Sequence, residues 1–519
     1  MDLKIARPLT LPCGLTVPNR LAKAALAEGW GDKNMLPDPS LVETYGSWAD
    51  GEWGLIMTGN VQVDAAYLGT REDNAVNDDI PREQHLESWR KWAKVCSRNG
   101  TPAIVQLNHP GRQSLPGAGS HGFFGKTIAP SVVPVRLGDG LIARFMSALI
   151  FGSPREMDAA DVQHVVGRFA EGAKLSYEAG FAGIEIHAAH GYLLAQFLSS
   201  KTNKRTDAFG GSPKRRARII VEIIKAIRAV VPKEFCVGIK LNSVDHQSQK
   251  ELDECIEQLE AIVDAGIDFL EISGGTYENP EMMTGKVNPT VSERTAVREA
   301  FFLEFAHVIR DRFKGVPLMV TGGFRSRQGM EAAIRDGGCD LVGIGRPAII
   351  NPFLPKNTIF NAEVDDQQAR LYAKNVAPSW LSKVLGMRSI NGAAETLAHV
   401  FHPGGFEHLF NEFSQGDFPT TGVDSPYAPL EADPEIFESL TPEGAILLAK
   451  LDLYVSFHNG PNRLHNDWTA PYSVAKDYGP KFLHFEKRLQ GQMEDGQLTL
   501  EKSVPWNYTA HPIYAGHKP

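Results

Sequence analysis

The chain has 519 residues, 42% of them apolar, and 53 basic against 62 acidic side chains give a net charge of -9. That length builds one large core and leaves room for an appendage, and the acidic balance excludes a basic footprint for nucleic acid or for an anionic membrane surface. Five scattered cysteines, Cys13, Cys96, Cys236, Cys255 and Cys339, show no C-x-x-C spacing. They argue against an iron–sulfur cluster or a structural metal and for reduced thiols in a cytoplasmic protein. The amino terminus lacks a secretory apolar core, and the longest apolar run, Leu141 to Phe151, is broken by Arg144 and too short to span a bilayer.

In chain order, the first eighteen residues, with Pro8, Pro12, Gly14 and Pro18, read as a hairpin that plugs the bottom of the main domain. Eight short apolar or β-branched runs then read as buried parallel strands. They are LAKAALA from Leu21, WGLIMTG from Trp53, PAIVQLN from Pro102, AGIEIHAA from Ala182, FCVGIKL from Phe235, DFLEISG from Asp268, PLMVTGG from Pro317 and DLVGIGR from Asp340. Amphipathic helical segments, Arg82 to Asn99, Asp158 to Gly180, Pro213 to Val231 and Glu251 to Gly266, separate several of them. Eight β-then-α units predict an α/β fold, a closed (β/α)8 TIM barrel over residues 1–356. A doubly wound open sheet fits less well, because no G-x-G-x-x-G turn is present.

The connection from Asn108 to Asp158 is about fifty residues long and Gly/Pro-rich, a length that in compact domains tends to serve function. Beyond residue 356 the alternation stops. Residues 357–519 predict a mainly helical C-terminal extension, with a helix from Pro442 to Val455, packed on the barrel or on a second subunit of a homo-oligomer. Trp380, Trp468 and Trp506 are not residues of a solvated disordered tail.

The segment IEIHAAHGYLLAQFLSSKTNKRTDAFGGS, Ile184 to Ser212, carries the most chemistry. It starts on the fourth strand and runs onto the C-terminal face, where barrels of this type build active sites. His187 and His190 stand three apart where the strand gives way to a turn, and Tyr192 comes two residues later. Two neutral imidazoles can donate hydrogen bonds to a substrate carbonyl, and a phenol can supply a proton to carbon. Zinc is the competing reading of His-x-x-His, but the adjacent Glu of the zincin motif and a third ligand are missing. Taken alone, the three side chains could equally be satisfied core residues.

HAAHGYLLAQFLS and TNKRTDAFGGS together closely resemble the signature of the old yellow enzyme family. The resemblance runs over roughly residues 1 to 356. It implies bound FMN, reduced by NADH or NADPH, and a small activated alkene as substrate. It implies that His187 and His190 bind the electron-withdrawing group and that Tyr192 protonates the α-carbon after hydride reaches the β-carbon. Asn203, Arg205, Asp207 and Gly210 to Ser212 match a part of the motif that organises a loop. Gln106, in VQLNHPGR, matches an amide that meets the flavin pyrimidine edge, where one group can both donate and accept.

Gly322 and Gly323 after the seventh strand, with Gly345 and Arg346 after the eighth, resemble the phosphate site of such barrels, where backbone N–H groups, a helix start and a guanidinium hold the charge. Ala24, Ala25, Leu26 and Ala27 match the first-strand backbone beside the flavin, and Gly59 and Asn60 its O4 side. EISGG, Glu271 to Gly275, borders the substrate mouth. Three departures bear on redox tuning. Ala27 stands where relatives have Cys or Thr, Ala24 and Ala25 where they often have Ser and Pro, and Lys240 where many have Arg, keeping the charge but losing the planar fork. The same site could instead serve desaturation, aromatisation or isomerisation, or belong to a flavoprotein without turnover.

Overall fold

The computed structural model describes residues 2–122, 124–136, 141–242, 249–273 and 308–371. Eight parallel strands close into a barrel: β1 (Leu21–Lys23), β2 (Leu55–Gln62), β3 (Ala103–Asn108), β4 (Gly183–Ala188), β5 (Cys236–Asn242), β6 (Phe269–Ser273), β7 (Leu318–Thr321) and β8 (Leu341–Ile344). Each pairs with the next, and β1 pairs with both β8 and β2, which shuts the ring. Nearly every strand residue is buried, because helices cover the outside while side chains fill the inside.

Some of the helices that cover the wall start where the sequence supplies caps. Helix α1 (Pro39–Asp50) opens with proline at its first position and an Asp38 carboxylate accepting from the Ser40 N–H. Helix α2 spans Arg82–Cys96. Helix α3 (Ala159–Ala179) is opened by a reciprocal box between Asp158 and Asp161 and closed by Gly180 at φ 94°. Helices α4 (Pro213–Arg228), α5 (Gln249–Asp264) and α6 (Arg327–Arg335) come next, and α7 (Arg346–Ile350) stands directly after β8. The indole N–H groups of Trp48 and Trp53 donate to the carbonyls of Ala348 and Pro352, 2.7 Å in each case, and so tie the end of the barrel to its beginning.

The inside of the barrel changes character along its axis. Toward the strand N-termini, Ala22, Leu55, Met57, Ile104, Cys236, Phe269, Met319 and Leu341 form an apolar floor. Residues Leu9–Thr10 and Thr16–Val17 pair as the expected antiparallel hairpin, and Leu11 and Val17 pack into that floor. Because side chains alternate along a strand, residues an even number of positions further on face the same interior, and the buried polar ones among them include Gln106, Glu185, His187, Lys240, Asn242, Glu271 and Ser273.

One boundary differs from expectation. Strand β1 ends at Lys23 rather than running to Ala27; Ala24 still donates to the Ile344 carbonyl, 2.9 Å, and the chain then leaves the wall. Past Lys356 the described chain continues to Leu371, with Arg327 donating to the Ala369 carbonyl at 2.9 Å and Leu371 to that of Arg325 at 2.8 Å. The helix expected from Pro442 to Val455 lies outside the described residues, as does the rest of the predicted extension.

Candidate active site

His187 is the fifth residue of β4, on its inward face and buried. The turn after the strand carries His190 into the same space by an unusual route: His190 has φ 57°, a left-handed conformation that costs a non-glycine residue free energy. Three bonds hold it there. Its N–H donates to Asn242 Oδ1 at 3.1 Å, its carbonyl accepts from Gln113 Nε2 at 3.2 Å, and the Tyr192 N–H closes the turn onto Ala189 at 3.2 Å. The imidazoles stand edge to face with centroids 5.0 Å apart, and Tyr192 packs against His187 at 4.9 Å. The Tyr192 hydroxyl accepts from Asn60 Nδ2 at 3.3 Å.

Burial first, then the positive charge of Lys240, lowers the pKa of His190 to about 3. His187 falls well below its ordinary value for the same reason, with His190 adding to the effect. Both rings are therefore neutral near pH 7, which leaves each with one N–H to donate.

Below the histidines a row of polar side chains crosses four strands. Gln106 on β3 is in register with Glu185 on β4, and Lys240 on β5 with both His187 and Glu271. Gln106 Nε2 donates to Glu185 Oε2 at 2.6 Å, and Lys240 Nζ lies 2.8 Å from Glu271 Oε1. Burial, together with the neighbouring Glu271 carboxylate, pushes Glu185 well above the usual carboxyl range. Sequence reasoning missed Glu185. Its signal was available, since it stands two residues before His187 on the same face of a strand.

At the rim, the chain from Leu26 to Glu28 arches over β2. A Cβ on Gly59 would stand 1.7 Å from Glu28 Oε2 and 2.0 Å from the Leu26 carbonyl, so the arch can lie this low only over glycine. The β2–β3 register shifts between Met57 and Asn60, a local irregularity of the kind found beside functional sites. Tyr45 fastens the arch, its hydroxyl accepting from the Gly59 N–H at 2.8 Å and donating to Glu28 Oε1 at 2.6 Å. Glu28 also pairs with the buried Lys23, 3.1 Å away. This Lys23–Glu28–Tyr45 unit was invisible in the sequence, because its partners are brought together by the barrel.

Ala24 is buried in the wall, Ala25 and Leu26 are half-buried and Ala27 is exposed. Gly322 and Gly323 have φ 111° and 88°, and a Cβ on Gly345 would meet nothing closer than Leu26 Cδ2 at 3.4 Å. The expected loop residues are tied down tightly: the Arg205 guanidinium reaches Asp207 and the carbonyls of Pro130 and Met157, and Asn203 Nδ2 bridges the carbonyls of Phe197 and Phe209.

A barrel whose C-terminal mouth is lined by these strand-end polar groups and glycines is the frame of an FMN-dependent oxidoreductase. The family model described as NADH:flavin oxidoreductase / NADH oxidase matches residues 4–362. The chain belongs to this family, which is that of the old yellow enzymes.

It is 51% identical over 392 residues to the NADH-dependent flavin oxidoreductase iccE of Talaromyces variabilis, covering 75% of this chain and 95% of that one. It is 52% identical over 402 residues to the NADH-dependent flavin oxidoreductase iliE of Neonectria sp. (strain DH2), covering 75% of this chain but only 52% of that relative, about half of its length. Among solved structures it resembles morphinone reductase, with a TM-score of 0.55, 24% identity, and 69% and 89% of the two chains covered, a likeness of fold.

The residues present fit FMN. The interior turns polar at the level of Gln106 and Lys240, with Thr321 Oγ1 buried and lacking a hydrogen-bond partner beside Gly343. Gly322 and Gly323, at φ 111° and 88° after β7, have the left-handed backbone found where successive N–H groups gather around an anion.

Proposed function

We propose that the chain reduces the C=C bond of an activated alkene of the enone type, with FMN bound at the barrel mouth and NADH as the reductant. The observation that carries this reading is the neutral His187–His190 pair packed against Tyr192. NADH is favoured over NADPH by the names of the two relatives, each an NADH-dependent flavin oxidoreductase. Bound FMN supplies hydride chemistry, accepting from the nicotinamide and delivering to carbon.

The chain's own residues bind, polarise and protonate. Gly322, Gly323, Gly345 and Arg346 would hold the phosphate. Ala24, Ala25, Leu26, Ala27, Gly59 and Asn60 would face the ring from the β1 and β2 side. Gln106, whose amide N–H is committed to Glu185, would offer its Oε1 to a ring N–H. Lys240 would place a positive charge at the pyrimidine edge, where negative charge grows on reduction.

His187 and His190 bind the substrate carbonyl oxygen as neutral donors. His187 carries its proton on Nε2, since the Ala189 N–H donates to Nδ1 at 3.2 Å. For His190 to offer Nδ1–H to the same oxygen, its Nε2 accepts from the Ser273 hydroxyl, 3.3 Å away. Tyr192 then gives its hydroxyl proton to the α-carbon, with Asn60 holding the phenol oxygen in place as negative charge develops.

The test is anaerobic turnover of 2-cyclohexenone with NADH in D2O, with the product read by mass spectrometry. The expected product is the saturated ketone with deuterium at the α-carbon. Flavin reduction with no saturated product from enone, maleimide or nitroalkene would overturn alkene reduction, and an isomeric product that keeps the C=C bond would assign the site to isomerisation.

A further inference from the structure

At the end of the barrel opposite the histidines lies a second group of reactive side chains. Cys236 opens β5 with its side chain in the apolar floor, and Cys13 sits half-buried in the turn of the hairpin that plugs this floor. Their sulfurs and a carboxylate oxygen of Asp268 all lie within 4.8 Å of one another. Cys236 fits because its in-register neighbour on β4 is Gly183, where a Cβ would stand 2.6 Å from the Cys236 Cβ.

Three such groups could suggest a metal ion, but Asp268 is engaged elsewhere. Its Oδ2 accepts from the Val237 N–H at 2.7 Å and from Arg228 Nη2 at 2.6 Å. The Arg228 guanidinium paired with that carboxylate repels a cation. The two thiols are also unequal. Donation from the Cys236 S–H holds Cys13 below its ordinary value, while the same bond and then burial hold Cys236 well above it. A half-buried thiol held below its ordinary value beside a buried thiol held above it is the arrangement of an attacking and a resolving cysteine. Cys96 and Cys339 are pushed up by burial instead.

We propose that Cys13 and Cys236 are a redox pair, a modification site at which a hydroperoxide closes a disulfide between the hairpin and the barrel wall. In the first step the Cys13 thiolate attacks an oxygen of the hydroperoxide. The O–O bond breaks, the leaving alkoxide or hydroxide takes a proton from water, and Cys13 becomes a sulfenic acid. In the second step the Cys236 sulfur attacks the Cys13 sulfur, the thiol proton goes to the departing hydroxyl, and water leaves as the S–S bond forms. One hydroperoxide is reduced by two electrons while two thiols are oxidised to one disulfide.

The sulfurs must close to about 2.05 Å. The adjustment falls on the Cys13 turn, which is held by Leu11 N to Leu15 O and Gly14 N to Leu11 O, both 2.8 Å. Closure ties two segments far apart in sequence and so raises the thermal midpoint of the oxidised form.

The experiment treats full-length FMN-loaded protein with a small excess of hydrogen peroxide, blocks remaining thiols with N-ethylmaleimide, and maps peptides without reductant. The expected result is loss of two hydrogens from the intact mass, one cross-linked peptide containing Cys13 and Cys236, and reversal by dithiothreitol. Cys236→Ser should stop the reaction at a Cys13 sulfenic acid that dimedone captures, and Cys13→Ser should leave Cys236 unmodified. Both variants should keep their FMN content. Wild-type Cys13 that advances to sulfinic acid without a cross-link, or that stays a free thiol, overturns the proposal. So does stoichiometric zinc in the purified protein that Cys13→Ser abolishes, which would make the cluster a metal site.

Discussion

His187 Nε2 lies 3.2 Å from His190 Nδ1, so one imidazole hydrogen-bonds directly to the other with no carboxylate between them. With His187 protonated on Nε2, this bond occupies the N–H that a substrate oxygen would need. A carbonyl or phenolate that enters must replace the His190 nitrogen as acceptor, and His190 must move its own proton to Nδ1. Ser273, on β6, is placed to accept from His190 Nε2 in the first state and to donate to it in the second.

The phenol of Tyr192 is expected to act after the cofactor has been reduced. Tyr192→Phe keeps the ring packed on His187 and removes the hydroxyl that accepts from Asn60. Rapid-mixing kinetics should show flavin reduction by NADH unchanged and reoxidation by enone slowed by about 10²–10⁴-fold, the usual contribution of a general acid. A loss confined to the reductive half would mean that another group supplies the proton.

The histidine pair should not titrate in the range where histidines ordinarily do. Both folded-state values lie below 6.5, with His190 at about 3, so the unfolded chain binds more protons than the folded one at acidic pH. Their contribution to stability is complete above pH 6.5 and is lost as pH falls from 6.5 toward 3. Phenol affinity should accordingly stay flat from pH 6 to 8 once the ligand's own ionisation is removed. A step near pH 6.5 that disappears in His190→Ala would show that the pair is charged at neutral pH.

Glu185 gives the opposite slope. Its folded-state value is raised above the ordinary 4.5, so the folded chain holds an extra proton, and this contribution is present below pH 4.5 and lost as pH rises toward the folded value. Glu185→Gln keeps the shape and removes the titration. The thermal midpoint of the variant relative to wild type should rise between pH 5 and 8. A constant difference would mean that Glu185 does not carry the extra proton.

The barrel was legible because its signals are local. Each strand is an apolar run, and the helix starts at Asp158 and Pro213 carry their own signals, a capping box and a proline in the first turn. The histidines and Tyr192 were legible because they share one stretch of chain. The bond from Gln106 to Glu185 was not, since that contact depends on register between strands separated by about 80 residues. The left-handed backbone of His190 was hidden for a related reason. Nothing in a histidine favours φ 57°, and the bond that stabilises it comes from Asn242 on the next strand.

Gly59 offers the most local test of how the rim accepts the cofactor. An added methyl group must displace either the Glu28 carboxylate, 1.7 Å from the new Cβ, or the Leu26 carbonyl, 2.0 Å from it. Glu28 cannot swing away cheaply, because Lys23 and Tyr45 hold it in a buried site where an unpaired charge is costly. The Leu26–Ala27 backbone should therefore lift, at a cost of about 1–3 kcal/mol for overpacking. Gly59→Ala is expected to fold, because the strain falls on a rim segment, yet to bind FMN roughly tenfold or more weakly, each 1.4 kcal/mol being a factor of ten. Fluorescence titration of FMN into apoprotein measures this directly, and the thermal midpoint of the apoprotein separates it from general damage. Unchanged FMN affinity alongside a lowered midpoint would mean that the Leu26–Glu28 arch serves packing and does not touch the cofactor.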